Sequence, residues 1–224
     1  MLFGYDIGKD FSVCAFRELP EENISVAILL FGFGTVPHRN AAVRDGIQRG
    51  LDTTMRRVMD AVEETLRSDG RNDLRYAATR IVDSVHLANG QVREASLLMG
   101  QGIYVGGVIA YVVKNDYIMF PFGGGAVYIF DHGNLHRQAV GDPADGLIRD
   151  AIGCSQQWKG RCWQGTLLPG GSLFCLSEKL ADPAMAAGEL QTALFPGSHP
   201  NTPSMLLRRT KTPEIPAVME LRNA

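Results

Sequence analysis

Between residues 43 and 66 the apolar side chains fall on one helical stripe. Val43, Ile47, Leu51, Met55, Val58, Val62 and Leu66 recur at spacings of three and four. A long amphipathic helix turns that period into one buried face. Ser68-Asp69-Gly70 breaks the stripe, and Leu74, Ala78, Ile81 and Val85 resume it. Asn72 or Asp73 is placed to cap the second helix. Ahead of the pair, Ile24 to Phe31 is a continuous apolar run, the pattern of a strand covered on both faces. A helix pair set among strands must bury its stripe against a sheet, so the expected class is a layered α+β fold.

The rest of the chain reads mostly as strands. Phe11 to Phe16 precedes the Ile24 run, with Pro20, Glu21, Glu22 and Asn23 as the turn. Asn89-Gly90 reads as the end of the helical region. The segments 91–98, 104–113, 117–121, 126–130 and 135–140 then read as successive strands. Lys114-Asn115-Asp116 and Asp131-His132-Gly133-Asn134 have hairpin-turn chemistry. A polar flap spans 141–165, Ser172 to Leu176 is a buried strand, 181–194 is a helix candidate, and 217–221 is a last short strand. No repeat or linker divides the chain, so residues 1–224 are expected to form one domain.

Composition excludes several classes. Net charge is −2 and no Lys/Arg block stands out, so nucleic acid is not an expected partner. No basic region precedes an apolar run at the start, and the longest apolar stretches, 24–34 and 103–113, are too short for a membrane helix. A cytoplasmic location is expected. Cys14, Cys154, Cys162 and Cys175 include no Cys-x-x-Cys pair and read as reduced, mostly buried thiols rather than zinc ligands. There is no nucleophile elbow around Ser172, and Gly123-Gly124-Gly125 lacks the context of a phosphate-binding loop.

Five blocks, in order, resemble the signatures of the PPM-type metal-dependent protein phosphatases of bacteria. Asp6, Gly8 and Lys9 fit the start of Asp-x-Gly-x-x-Arg-x-x-Asn-Glu-Asp. Leu30 to Thr35 occupies the place of Ala-Asp-Gly-x-Gly-Gly, and the helix pair follows. Phe122 to Tyr128 aligns with Val-Gly-Asp-Ser-Arg-x-Tyr, and Asp131-His132-Gly133 follows in the place of the family's second turn. Leu167 to Leu180 matches Leu-x-Pro-Gly-Asp-x-Leu-Leu-x-Ser-Asp-Gly-Leu at Pro169, Gly170, Ser177 and Leu180. The resemblance implies a four-layer α-β-β-α sandwich: two antiparallel sheets face to face, with helix pairs outside.

It also implies a site that has lost its chemistry. In the family, carboxylates at one end of the sandwich hold two divalent metals that activate water, and an Arg holds the phosphate. Here the Arg position is Phe11, and the first-strand Asp is Phe16. The Asp of the Asp-Gly block is Phe31, with Gly32 retained. The hairpin Asp is Gly124, Ser-Asp-Gly becomes Ser177-Glu178-Lys179, and the last Asp-Asn falls near Pro213. Phenylalanine cannot ligate a metal. No catalytic or metal-binding residue is therefore expected, Glu178 being the one surviving candidate, and no cofactor.

The expectation that follows is a catalytically inactive, phosphatase-like protein that binds a protein partner in signalling. Trp158 and Trp163 could anchor such a partner or form a packed flap. One rival is an active phosphatase using Mn²⁺ or Mg²⁺ with Glu178 and acids such as Asp6, Asp142 or Asp145. Another is a small-molecule module whose apolar pocket is lined by Phe16, Phe31 and Phe33. Phe16, Phe31, Gly124 and Glu178 are expected to meet at one end of the sandwich. His38, Arg39 and Asp45 read as a solvated helix start, and His132 and His136 as exposed turn residues.

Overall fold

A computed structural model describes residues 1–6, 11–34, 41–132, 134–140, 150–177 and 218–223. Its order is β1 (Leu2–Asp6), β2 (Ser12–Leu19), β3 (Ile24–Gly34), α1 (Ala41–Arg67), α2 (Leu74–Met99), β4 (Ile103–Val113), β5 (Asp116–Phe122), β6 (Gly125–Asp131), β7 (Asn134–Val140), β8 (Trp163–Thr166), β9 (Ser172–Ser177) and β10 (Val218–Arg222). The strands make two antiparallel five-stranded sheets, ordered β2-β3-β4-β5-β8 and β1-β10-β9-β6-β7. This is the expected α+β sandwich. The helix candidate at 181–194, which would belong to a second helix pair, lies outside the described residues.

The central sheet strands bury both faces, which explains their unbroken apolar runs. On β3, Ile28 and Leu30 point to the helices, where they join Ile47, Leu51, Val85 and Val92 in one core. Ala27 and Leu29 point the other way and meet Val127, Leu173, Cys175 and Met219 of the second sheet. A strand alternates its faces residue by residue, so one continuous run serves both cores.

Helix α2 corrects the sequence reading. Residues 91–98 are its last turns, not a strand, and Asn89-Gly90 is not a turn. Val92 and Ser96 continue the buried stripe of Val85 and Ala88 at spacings of three and four. The polar Gln91, Arg93 and Glu94 between them mimicked a two-residue alternation. The helix stops at Gly100, whose φ of 63° and N–H bonds to Leu97 and Ser96 carbonyls make a left-handed cap. Asp73 caps the other end, accepting from the N–H groups of Arg75 (2.8 Å) and Tyr76 (3.4 Å).

Two strands went unread. Among the described residues β1 is bonded only to β10. β8 lies inside the polar flap, where the Gly-interrupted Trp163-Gln164-Gly165-Thr166 shows little apolar pattern. The expectation of mostly buried thiols is also corrected: Cys175 is buried and Cys14 half-buried, but Cys154 and Cys162 are exposed.

Candidate functional site

The site is defined by backbone register at one end of the sandwich. In the second sheet, Asp6 pairs with Val218, Val218 with Leu176, and Gly125 with Ser177. In the helix-backed sheet, Ser12 pairs with Phe31, Phe31 with Gly106, and Gly107 with Phe122. The chain crosses from β5 to β6 through Gly123 and Gly124, with φ of 56° and 86°. These are left-handed values that a side chain would strain. The crossing is tight: a Cβ on Gly106 would lie 2.2 Å from the Gly123 carbonyl oxygen and 2.5 Å from Phe31 Cε2. Phe31 thus lies over Gly106, which the Gly123 carbonyl also approaches.

Phe16 is elsewhere. It pairs with Ala27, four residues along β3 from Phe31, a separation of about 13 Å along the strand. Its ring stacks on Phe3 of the other sheet at 4.3 Å, closing the edge where β1 and β2 run. Phe11, just before β2, is the residue at this end, and its carbonyl accepts from the Gly32 N–H at 2.8 Å. Phe11 has a φ of 57°, a costly conformation for a bulky residue. The Arg44 guanidinium of α1 stands 5.8 Å from its ring centroid.

The end is therefore built of aromatics. Phe31 and Phe33 stack at 6.4 Å, and Phe33 meets Tyr104 at 5.6 Å. The pocket proposed from Phe16, Phe31 and Phe33 is not formed by those three, because Phe16 sits on Phe3. The retained Gly32 has a packing reason instead of a chemical one. A Cβ there would come 2.3 Å from Ile47 Cγ2, so glycine lets α1 seat on β3.

One carboxylate at this end escaped sequence reasoning. Asp150 is buried, and its Oδ1 accepts the Gly123 N–H at 2.8 Å. Its carbonyl accepts from Trp158 Nε1 at 2.7 Å. Ile152 forms an isolated bridge with Val105 of β4. Asn89 of α2 closes the arrangement, accepting from the Gly153 N–H (2.8 Å) and donating to the Ser155 carbonyl (3.0 Å). A lone acid before Ala151-Ile152-Gly153 carries no signal in a single sequence. Burial and the Asp150 charge raise the pKa of the nearby Cys154 thiol, so it stays protonated.

The other sequence candidates separate. Trp158 is 4% exposed and packs edge-on against Phe122 and His86, so it belongs to the flap core and offers no anchor. Trp163 is half-buried opposite Met119 on β8. Asp45, His132 and His136 are exposed, as expected. Glu178, Pro213, Asp142, Asp145, His38 and Arg39 lie outside the described residues, and Asp6 is placed by its backbone register. The buried Glu220 is bound by Ser172 Oγ (2.9 Å) and Arg222 (2.8 Å), a structural pairing on the sheet. A groove of about 900 Å³ opens at the opposite end, between Glu22, Asp73 and Lys114.

The metals implied by the fold require oxygen donors. Among the described residues no group of three or more His, Cys, Asp or Glu side chains converges. Phe11, Phe31 and Gly124 supply no ligand, Arg44 adds positive charge, and Asp150 is engaged by Gly123. The described residues do not fit a two-metal centre.

No family model matches the chain, and no curated protein matches it. Solved structures do. The Streptococcus agalactiae serine/threonine phosphatase matches with a TM-score of 0.73 at 15% identity, over 99% of this chain and 98% of that one. PppA, described as a key regulatory component of T6SS in Pseudomonas aeruginosa, matches with a TM-score of 0.64 at 18% identity, over 98% and 96%. The PPM Ser-Thr phosphatase MsPP of Mycobacterium smegmatis, solved with cacodylate, gives 0.65 at 15% identity, over 99% and 97%. The chain has the fold of these PPM phosphatases.

Proposed function

We propose that this chain is a catalytically inactive PPM-fold protein that regulates a signalling process by binding a protein partner. The observation that carries this reading is the make-up of one sandwich end. Phe11, Phe31 and Gly124 stand where the resemblance requires a phosphate-holding Arg and metal-holding acids, and Phe31 packs over Gly106. An aromatic surface with an adjacent Arg suits protein contact better than it suits a hydrated dication. The neighbour PppA is described as a key regulatory component of T6SS, which agrees with a regulatory reading. A divergent active enzyme is the second reading, because Asp6 falls in register at this same end.

Turnover separates the two. Purified protein with Mn²⁺ or Mg²⁺ is expected to hydrolyse neither an aryl phosphate nor a phosphopeptide above background. Calorimetric titration with Mn²⁺ is expected to give no binding heat. Chelator-sensitive turnover that disappears in Glu178→Gln or Asp6→Asn would overturn the proposal in favour of the enzyme.

A further inference from the structure

Three sulfur atoms from three strands gather between the two sheets, and the sandwich end does not use them. Cys14 Sγ of β2 stands 3.8 Å from Met219 Sδ of β10. Met219 is the direct cross-strand partner of Cys175 on β9. Such partners share one face of their sheet, with Cβ atoms about 5 Å apart. Cys14 is also near enough for its charge to act on the Cys175 thiol. All three side chains belong to one apolar cluster. Burial holds both thiols protonated, pushing Cys14 up to about 12 and Cys175 well above its ordinary range. The cluster nevertheless lies close to an edge. Cys14 is half-buried on the end strand β2, and Tyr5, which pairs with Met219 on β1, is 54% exposed. Leucine or valine would fill this space without sulfur. What Cys14, Met219 and Cys175 add is a set of soft lone pairs in one place.

We infer that Cys14, Met219 and Cys175 form a binding site for a soft monovalent metal ion, Cu(I), held by three sulfurs between the sheets. Thiolate and thioether ligands select soft ions, whereas Mg²⁺ and Mn²⁺ take oxygen. A metal–sulfur bond is about 2.3 Å long, so three sulfurs around one ion stand about 4.0 Å apart. The 3.8 Å between Cys14 and Met219 already matches one edge of that triangle. Zn²⁺ takes four ligands in a tetrahedron, and among the described residues no His or carboxylate joins the two thiols. Binding exchanges a proton for the metal: the Cys14 S–H bond breaks, an S–Cu bond forms, and the proton leaves to water. With one thiolate the site carries no net charge, which spares the dry interior an uncompensated ion. Met219 gives a neutral lone pair, and Cys175 supplies the third sulfur. The ion enters at the β1 and β2 edge, past Tyr5. None of these residues decides whether the sandwich end is catalytic, so the two readings stand or fall separately.

Anaerobic titration of the reduced protein with Cu(I), against a chromophoric Cu(I) chelator, tests the inference. The unmodified chain and a variant carrying Cys154→Ser and Cys162→Ser, which lacks the exposed thiols, are both expected to hold at least one Cu(I) per chain. In that variant, Met219→Leu, which conserves volume, weakens capture at least tenfold, and Cys14→Ala does the same. Circular dichroism checks that each variant remains folded. X-ray absorption of the copper-loaded variant is expected to show sulfur alone around the metal, and an equal concentration of Zn²⁺ is expected not to displace it. Loss of all copper to the chelator would overturn the proposal. So would uptake that vanishes with Cys154 and Cys162, uptake indifferent to Met219→Leu or Cys14→Ala, nitrogen or oxygen in the metal's shell, or displacement by Zn²⁺.

Discussion

Replacing Phe31 with aspartate asks whether the sandwich end is a filled core or a closed-down metal site. Phe31 is 8% exposed and lies over Gly106. Truncating a buried Phe costs about 3–5 kcal/mol. Phe31 stands at the end of the core, where neighbours can close in, so the lower figure applies to Phe31→Ala. A carboxylate left without partners adds about 1–3 kcal/mol. For a chain of this size each kcal/mol moves Tm by about 2–4 °C. Phe31→Asp should therefore melt about 8–24 °C below the parent, and below Phe31→Ala. The decisive measurement is the same melt with excess Mn²⁺. A ligand at 100 times its Kd stabilises by about 2.7 kcal/mol, a gain of roughly 5–11 °C. No such gain is expected for Phe31→Asp. Phe16→Asp is the control: it loses a half-buried ring and its stack on Phe3, costs less, and responds to no metal because it lies at another place on β2. Recovery of several degrees by Mn²⁺ in Phe31→Asp alone, or a melt equal to the parent's, would refute the filled-core reasoning.

Two further outcomes follow from the same contacts. Asp150→Ala leaves the Gly123 N–H without its acceptor and should cost about 1–3 kcal/mol in chemical denaturation; Asp150→Asn, which keeps an accepting oxygen, should cost clearly less, and equal losses would show that the hydrogen bond is not what matters. Under native conditions a thiol reagent should modify the exposed Cys162 and Cys154, Cys154 slowed because its raised pKa leaves less thiolate, and should reach Cys14 and Cys175 only on unfolding. Burial raises the Cys14 pKa from its ordinary 9.0 to about 12. Folding holds this thiol protonated, so its contribution is complete below pH 9.0 and is lost as pH climbs towards about 12. Urea midpoints should fall through that alkaline window and fall less steeply in Cys14→Ala. Parallel slopes in the two proteins would rule Cys14 out as a cause.

The fold was legible wherever one period persisted. The stripe from Val43 to Leu66 and the run from Ile24 to Phe31 fixed α1 and β3, since both patterns arise from burial and survive without tertiary information. Reading failed where burial was one-sided or brief. The last turns of α2 alternate polar and apolar residues over one stretch, and only the Val85, Ala88, Val92, Ser96 stripe shows them to be helix. β1 and β8 are short edge strands whose pairing comes from distant partners. At the site, the Gly32 kept in its block is explained by packing against Ile47, which the sequence alone did not show. Phe16 lies four positions along the β3 register from Phe31, a separation that block spacing alone does not reveal. Asp150 could not be found at all: its role depends on meeting Gly123, and no local pattern records that meeting.

The order β1-β10-β9 has a consequence for how the protein is made. Tyr5 pairs with Met219, and Met219 also pairs with Cys175, so the last strand fills the slot between the first strand and the ninth. A chain emerging from the ribosome meets its segments N-terminal first. The stretch from β2 to β5, with both helices between, can close early because its pairings link neighbours in sequence. Among the described residues β1 has no partner until residues 218–222 arrive. Until then β1 and β9 stand with unpaired edges, separated by the width of one strand, about 10 Å across the two missing spacings. Such edges are templates for the wrong strand. A ribosome stalled before Val218 would hold a half-built protein: one sheet finished under its helices, the other an open slot able to accept a β10 from a neighbouring nascent chain.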